Sequence, residues 1–185
     1  MGMKEFPLSK AYRLIESGPV VMLTTSRKGR PNIMTMSWHM AMEFEPPLIG
    51  CVVAPSDYSY DTLVKTKECV LAIPTADLAS KVVKIGNCSG KDVDKFKTFG
   101  LTPVQADKVS APLVAECLYN LECRVVDTSG LRKYAMFVLE VVKAWADPRR
   151  KERRMFHANG DGTFAVDGRT LNLRRYMVKF KDMIG

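Results

Sequence analysis

Residues 20–25 are apolar or β-branched without a charged interruption, and beyond the turn residues Lys28 and Gly29 the pattern becomes an alternation. Met34, Met36 and Trp38 fall on one face of an extended segment, Thr35 and Ser37 on the other. That is the signature of two strands joined by a tight turn, one face packed and the other offering small hydroxyls. After Pro46 and Pro47, residues 48–54 form a second apolar run stopped by Pro55. A helix is predicted to follow, with Ser59 at its N-cap and Leu63 and Val64 facing inward. A helical period recurs over residues 9–16, a short helix expected to lid one end of the fold, over residues 75–85, with Leu78, Val82 and Ile85 in register, and over residues 92–99. Gly18, Gly86 and Gly100 are the respective stops.

The second half returns to strands. Leu121, Cys123 and Val125 alternate with Glu122 and Arg124, which predicts a half-buried antiparallel strand with the charged residues outward. Residues 135–145 are more continuously apolar, and residues 163–166 sit between turn dipeptides at Asn159-Gly160, Asp161-Gly162 and Asp167-Gly168, a terminal hairpin. Many strands with a few inserted helices make the chain mainly β, a closed antiparallel barrel. Its 185 residues, 46% of them hydrophobic, fit one domain spanning residues 1–185.

Charge narrows the partners. A formal net charge of +8 favours an anionic ligand: a nucleotide, an acidic protein or nucleic acid. Arg149, Arg150, Lys151, Arg153 and Arg154 form one basic run, read as a solvated loop rather than a nucleic-acid site because no aromatic recognition pattern or helix-turn-helix accompanies it. The five cysteines show no close spacing, which argues for a reducing compartment, and two distant histidines give no metal-binding pattern. Most of the cysteines read as small core residues, with Cys88, in a glycine-rich loop, the more exposed one. No apolar stretch reaches the length of a membrane span and the start lacks the apolar run of a signal peptide, so a cytoplasmic location is expected.

The candidate chemistry lies between residues 20 and 62, which read as a binding site for a flat, phosphate-bearing cofactor. A helix N-terminus carries unpaired backbone N–H groups and a partial positive charge, which suits a phosphate. A plain strand meander with an ordinary capped helix would have the same local pattern. The order of segments separates these readings. Pro31-Asn32-Ile33-Met34-Thr35-Met36-Ser37-Trp38, then Pro46-Pro47-Leu48-Ile49-Gly50-Cys51-Val52-Val53-Ala54-Pro55-Ser56-Asp57-Tyr58-Ser59, then residues 85–96 and 164–168, resembles the flavin reductase-like family of FMN-binding split barrels, and within it the flavoredoxin branch.

The resemblance implies an antiparallel split barrel that holds FMN, with no protein residue assigned to catalysis and no metal. The implied cofactor-binding residues are Asn32, Met34, Thr35, Met36, Ser37, Trp38, Cys51, Val52, Val53, Ser56, Tyr58, Ser59, Gly86, Cys88, Ser89, Lys95 and Phe96. Backbone N–H groups near residues 35–37 and 52–53 would meet the flavin ring, while Ser56, Ser59 and Lys95 would meet the phosphate. Trp38 is open to a core or a cofactor reading, and Lys95 to a solvated or a phosphate reading. A homodimer is expected, because the family places FMN at a subunit boundary and residues 135–145 exceed what one small barrel needs to bury.

Two departures from the family pattern stand out. Asp57-Tyr58 replaces the Arg-His of many relatives, and residues 129–134 lack the histidine that nicotinamide-using relatives carry before the long strand. No dinucleotide-binding glycine motif follows a strand. The resulting expectation is an electron-transferring flavoprotein whose donor is a redox protein or a transiently docked nicotinamide. A flavin reductase supplying a partner and a basic barrel that binds RNA or protein without flavin are the alternatives.

Overall fold

The computed structural model describes residues 3–9, 11 and 18–176. The helix expected over residues 9–16 falls largely outside them. Strand β1 (Lys4–Phe6) precedes the hairpin of β2 (Val21–Arg27) and β3 (Arg30–Met36), whose turn residues Lys28 and Gly29 both have positive φ, 51° and 73°. That is the turn whose twist matches a two-residue hairpin. Strands β4 (His39–Glu43) and β5 (Leu48–Val52) follow, then helix α1 (Tyr60–Thr66) and β6 (Glu68–Ile73). Helices α2 (Ala79–Gly86) and α3 (Lys95–Thr98) and the short strands β7 (Pro103–Val104) and β8 (Leu113–Val114) lead to β9 (Tyr119–Asp127). A short helix, α4 (Leu131–Tyr134), then β10 (Met136–Ala146) and the terminal hairpin of β11 (Phe156–Ala158) and β12 (Phe164–Val166) complete the order.

One antiparallel sheet, in the order β3-β2-β6-β9-β10-β5-β4 with β1 also on β10, makes the barrel wall. Its outer strands, β3 and β4, are consecutive in sequence and separated only by Ser37 and Trp38. Three peptide steps reach at most about 11 Å, so the sheet must curl until its two edges meet at that corner. This is the seam of the barrel. Its interior is packed by Val21, Leu23, Ile49, Cys51, Val53, Leu71, Leu121, Phe137 and Leu139. A second core lies outside the wall, where Met22, Ile33 and Ala72 pack against Val82 and Ile85 of α2, Phe96 of α3 and Phe156. Strand β2 is thus covered on both faces, which accounts for its unbroken apolar run.

Two expectations change. Residues 135–145 read as surplus apolar surface, yet β10 lies inside the sheet between β9 and β5, with Phe137, Val138, Leu139, Val141 and Ala144 buried by this chain itself. Glu122, expected outward, is 0% exposed. Its carboxylate accepts the backbone N–H groups of Asp107 (3.0 Å) and Lys108 and the indole N–H of Trp145 (2.7 Å), because residues 103–110 cover that face of β9. Lys143 ties in the same segment, donating to Asp107 at 3.0 Å and lying 4.4 Å from the Trp145 ring centre.

The terminal hairpin forms as expected and is pinned by Asp167, which accepts the Met155 N–H at 2.9 Å and pairs with His157 Nε2 at 2.9 Å. The basic run is largely engaged within the chain. Arg150 bonds Thr75 and Asp77, Arg153 donates to the Tyr119 hydroxyl, Arg154 pairs with Glu152, and Arg149 lies 3.5 Å from Asp147. No described helix is long and apolar enough to cross a membrane.

Candidate functional site

Where β3, the start of α1 and the loop after α2 converge, a cleft of about 320 Å³ is lined by Asn32, Met34, Thr35, Ser56, Asp57, Tyr58, Ser59, Gly86, Asn87, Cys88, Ser89 and Lys95. Ten of the residues that the sequence proposed as cofactor-binding meet here; Asp57 and Asn87 are the additions. The local folding explains the convergence. Beyond the end of β5 at Val52, Asp57 closes the turn around Pro55 by accepting the Ala54 N–H at 2.8 Å. The Asp57 carboxylate is therefore a turn closer, a role a sequence reader can recognise from the Pro-Ser-Asp order.

Ser59 occupies the N-cap position of α1, but its hydroxyl makes no cap bond. It accepts instead from Asn32 Nδ2 at 2.8 Å, and it is 1% exposed. The pair locks β3 to the helix start. Thr35 donates to the Val82 carbonyl at 2.6 Å and so fixes β3 to α2 rather than presenting a free hydroxyl.

The loop 86–92 lies close over this arrangement. A Cβ on Gly90 would overlap the Asn32 amide oxygen and approach a Tyr58 ring carbon to 2.8 Å, and one on Gly86 would lie 3.3 Å from the Thr35 Cβ. The two glycines thus let the loop backbone approach more closely than side chains would permit.

Lys95 gives the cleft its electrostatic character. It is 5% exposed, donates to the Ile85 carbonyl at 2.9 Å near the C-terminal end of α2, and makes no carboxylate salt bridge among the described residues. Burial pushes its pKa below the ordinary lysine range, against the opposing pull of Cys88 and Asp57. An ammonium has three donors, so two remain after the carbonyl is served. A buried cation without a carboxylate is costly, and an anion entering the cleft relieves that cost.

The remaining proposed residues stand apart from the cleft. Met36, Cys51 and Val53 are in the barrel core and Phe96 in the helical core, since each side chain points to the packed face of its element. Of the backbone N–H groups expected to meet a ligand ring, two are already paired: Val52 donates to the Trp38 carbonyl at 3.0 Å and Val53 to the Ala135 carbonyl at 3.1 Å. Ser37 is exposed at the seam. Trp38, 71% exposed, is not core, because the chain leaves the sheet there to pass between its edges.

Comparison with known proteins fits this geometry. Residues 13–164 match the family described as flavin reductase like domain. The Escherichia coli protein YddH is 33% identical over 176 residues, 88% of this chain and 93% of that protein. An FMN-binding domain of a flavin reductases-like enzyme from Shewanella baltica superposes with a TM-score of 0.85 at 25% identity, covering 92% of this chain and 96% of that one. The flavoredoxin of Desulfovibrio vulgaris shares the fold, with a TM-score of 0.75 at 24% identity over 84% of this chain and 89% of its own.

Proposed function

The chain belongs to the flavin reductase-like domain family, and from that premise we propose that it is an FMN-binding flavoprotein of the flavoredoxin type, passing electrons through bound FMN between a reduced donor and an acceptor. The observation that carries this reading is Lys95, a buried ammonium set among Asn32, Ser56, Ser59 and Ser89 with donor capacity left over. A phosphate is the group such a set suits. In this reading Lys95, Asn32, Ser56, Ser59 and Ser89 would hold the FMN phosphate in the narrow cleft. When bound, the flavin supplies the hydride and electron chemistry itself. Lys95 neutralises the phosphate, the Asn32–Ser59 pair holds the strand and helix at fixed separation, and the loop 86–92 limits water access.

An absorption spectrum of the purified protein and a titration of the apoprotein test the cofactor. FMN is expected to bind at least about tenfold more tightly than riboflavin, since a hydrogen bond to a charged group contributes about 1.5–3 kcal/mol. Equal affinity would show that this cleft does not hold the phosphate. Oxidation of NADH or NADPH by the pure protein is expected to be slow, because residues 129–134 carry no histidine. Turnover near a typical enzyme value of about 10 per second in a steady-state assay would instead favour a flavin reductase that feeds a partner.

The same reading includes a homodimer, and its support is a different strand from the one the sequence suggested. Trp38 at the seam and Met40 and Met42 of edge strand β4 are 71%, 52% and 45% exposed, and both methionine side chains reach the space over Gly50 of β5. Together they form an exposed apolar patch. A second copy would cover it within an interface of about 2,000 Å² or more. Light scattering is expected to give a dimer for the wild type and a monomer for Met40→Asp; a wild-type monomer with flavin bound would remove the dimer.

A further inference from the structure

The last described residues take no part in any of the cores. Beyond β12, residues 167–173 have no regular form, and one 3₁₀ turn (Arg174–Tyr176) follows. Leu171, Leu173 and Tyr176 are each more than half exposed, and none belongs to a buried cluster. Apolar side chains gain by leaving water, so a run of them left bare marks a segment shaped for another surface. Arg169, Arg174 and Arg175 accompany them, and none of the three meets a carboxylate among the described residues.

A surface with the complementary chemistry exists on the same chain. Trp38, Met40 and Met42 are its apolar part. Glu43 ends the same strand and Glu45 lies two residues on; both are exposed, and neither pairs with a cation among the described residues. Segment and patch are thus both apolar and of opposite charge. They also start close together. His39, between Trp38 and Met40, lies 2.7 Å through Nε2 from the Pro19 carbonyl, while His157 of β11 lies 3.2 Å through Nδ1 from the carbonyl of Gly18. Asp167, where the segment leaves the hairpin, pairs with that same His157. The six residue steps from Asp167 to Leu173 reach at most about 22 Å. Within the single chain, segment and patch nevertheless both stay exposed, so the segment is not folded back on the patch of its own copy.

We propose that residues 169–176 form an exchanged arm: in a dimer, the arm of each copy lies on the other copy's Trp38, Met40 and Met42, with its arginines toward Glu43 and Glu45. This rests on the homodimer proposed above and adds what each subunit contributes to the other. Two-fold symmetry makes the contact twice, because the arm of one copy meets the patch of the second and the reverse. Apolar burial supplies the affinity, and the charges fix how the arm is placed.

Charge reversal tests the exchange. Arg174→Glu/Arg175→Glu sets a negative arm against the native carboxylates, and Glu43→Lys/Glu45→Lys sets the native arginines against lysines. Sedimentation equilibrium is expected to show each variant alone dimerising at least about tenfold more weakly than wild type, because two reversed charges act at each of two symmetric contacts. Far-ultraviolet circular dichroism should be unchanged, since all four positions are exposed. An equimolar mixture of the two variants is expected to recover dimers of near wild-type affinity, because in the mixed pair both arms meet a patch of opposite sign. An arm lying on its own copy's patch gains nothing from mixing. Leu171→Ser/Leu173→Ser is expected to weaken the dimer about tenfold as well. Variants that dimerise as tightly as wild type, or a mixture no tighter than its parts, overturn the arm and leave the homodimer standing. A wild-type monomer removes the homodimer itself and the arm with it.

Discussion

Lys95→Met is expected to give a folded protein that releases its flavin. The methionine tip is close in size to the ammonium it replaces, so the buried position stays filled, but the cation proposed to face the phosphate is gone. Loss of a charge-assisted hydrogen bond of about 1.5–3 kcal/mol weakens FMN by about tenfold to more than a hundredfold, measured by fluorescence titration of the apoprotein. The apoprotein itself should melt within a few degrees of wild type. Lys95 has a folded pKa depressed by burial, so between that value and the ordinary lysine value of 10.5 the unfolded chain binds more protons than the folded one. Stability contributed through this group therefore rises with pH across that window, and the buried charge is a liability below it. Flavin binding runs the other way. It is strongest where Lys95 is protonated and falls as pH rises through the depressed pKa, a dependence that Lys95→Met should abolish. Unchanged FMN affinity in the variant would detach Lys95 from the phosphate.

Glu122→Ala is expected to be the most destabilising single substitution outside the apolar core. It leaves the N–H groups of Asp107 and Lys108 and the Trp145 indole without their acceptor. Each unpaired buried donor costs about 1–3 kcal/mol, although the two on the loop can regain water, so a loss of about 3 kcal/mol is expected. For a chain of this size that lowers the melting temperature by about 6–12 °C. Hydrogen exchange should place the loosening in residues 103–110 rather than in the cleft, and flavin affinity should hold. Glu122→Gln, retaining one acceptor oxygen, should fall between. A Glu122→Ala protein that melts with the wild type would mean that the loop finds other partners.

Both results bear on what a reader can take from the chain. The β2–β3 hairpin was legible because Lys28-Gly29 encodes its own turn, and α2 because Val82 and Ile85 repeat at helical spacing against one surface. Glu122 was not legible. Its alternation with Leu121 and Cys123 is the ordinary mark of a solvent face, and only the distant segment 103–110 turns that face inward. Trp38 failed for a related reason: extending the alternation of Met34 and Met36 through it assumes that the strand continues, whereas β3 ends at Met36. Ser56 to Ser59 line one cleft because they lie in one local stretch, a grouping that the chain order itself displays. Arg27 and Arg30 read as turn residues in the sequence, and only the register of the β2–β3 hairpin sets them directly opposite one another.

The seam has a consequence for communication across the molecule. Ser37 and Trp38 hold the last residue of β3 to the first of β4 like a two-link ruler, so a shift of β3 toward a ligand is passed to the strand bearing the exposed methionines. If flavin and a second subunit each favour one spacing of the seam, their binding energies are linked and each must tighten the other by the same factor. Lengthening the ruler with two glycines should leave both binding events possible and make them independent. Doubling a short connection costs only about 0.6 kcal/mol in closure entropy, so the barrel would tolerate the insertion.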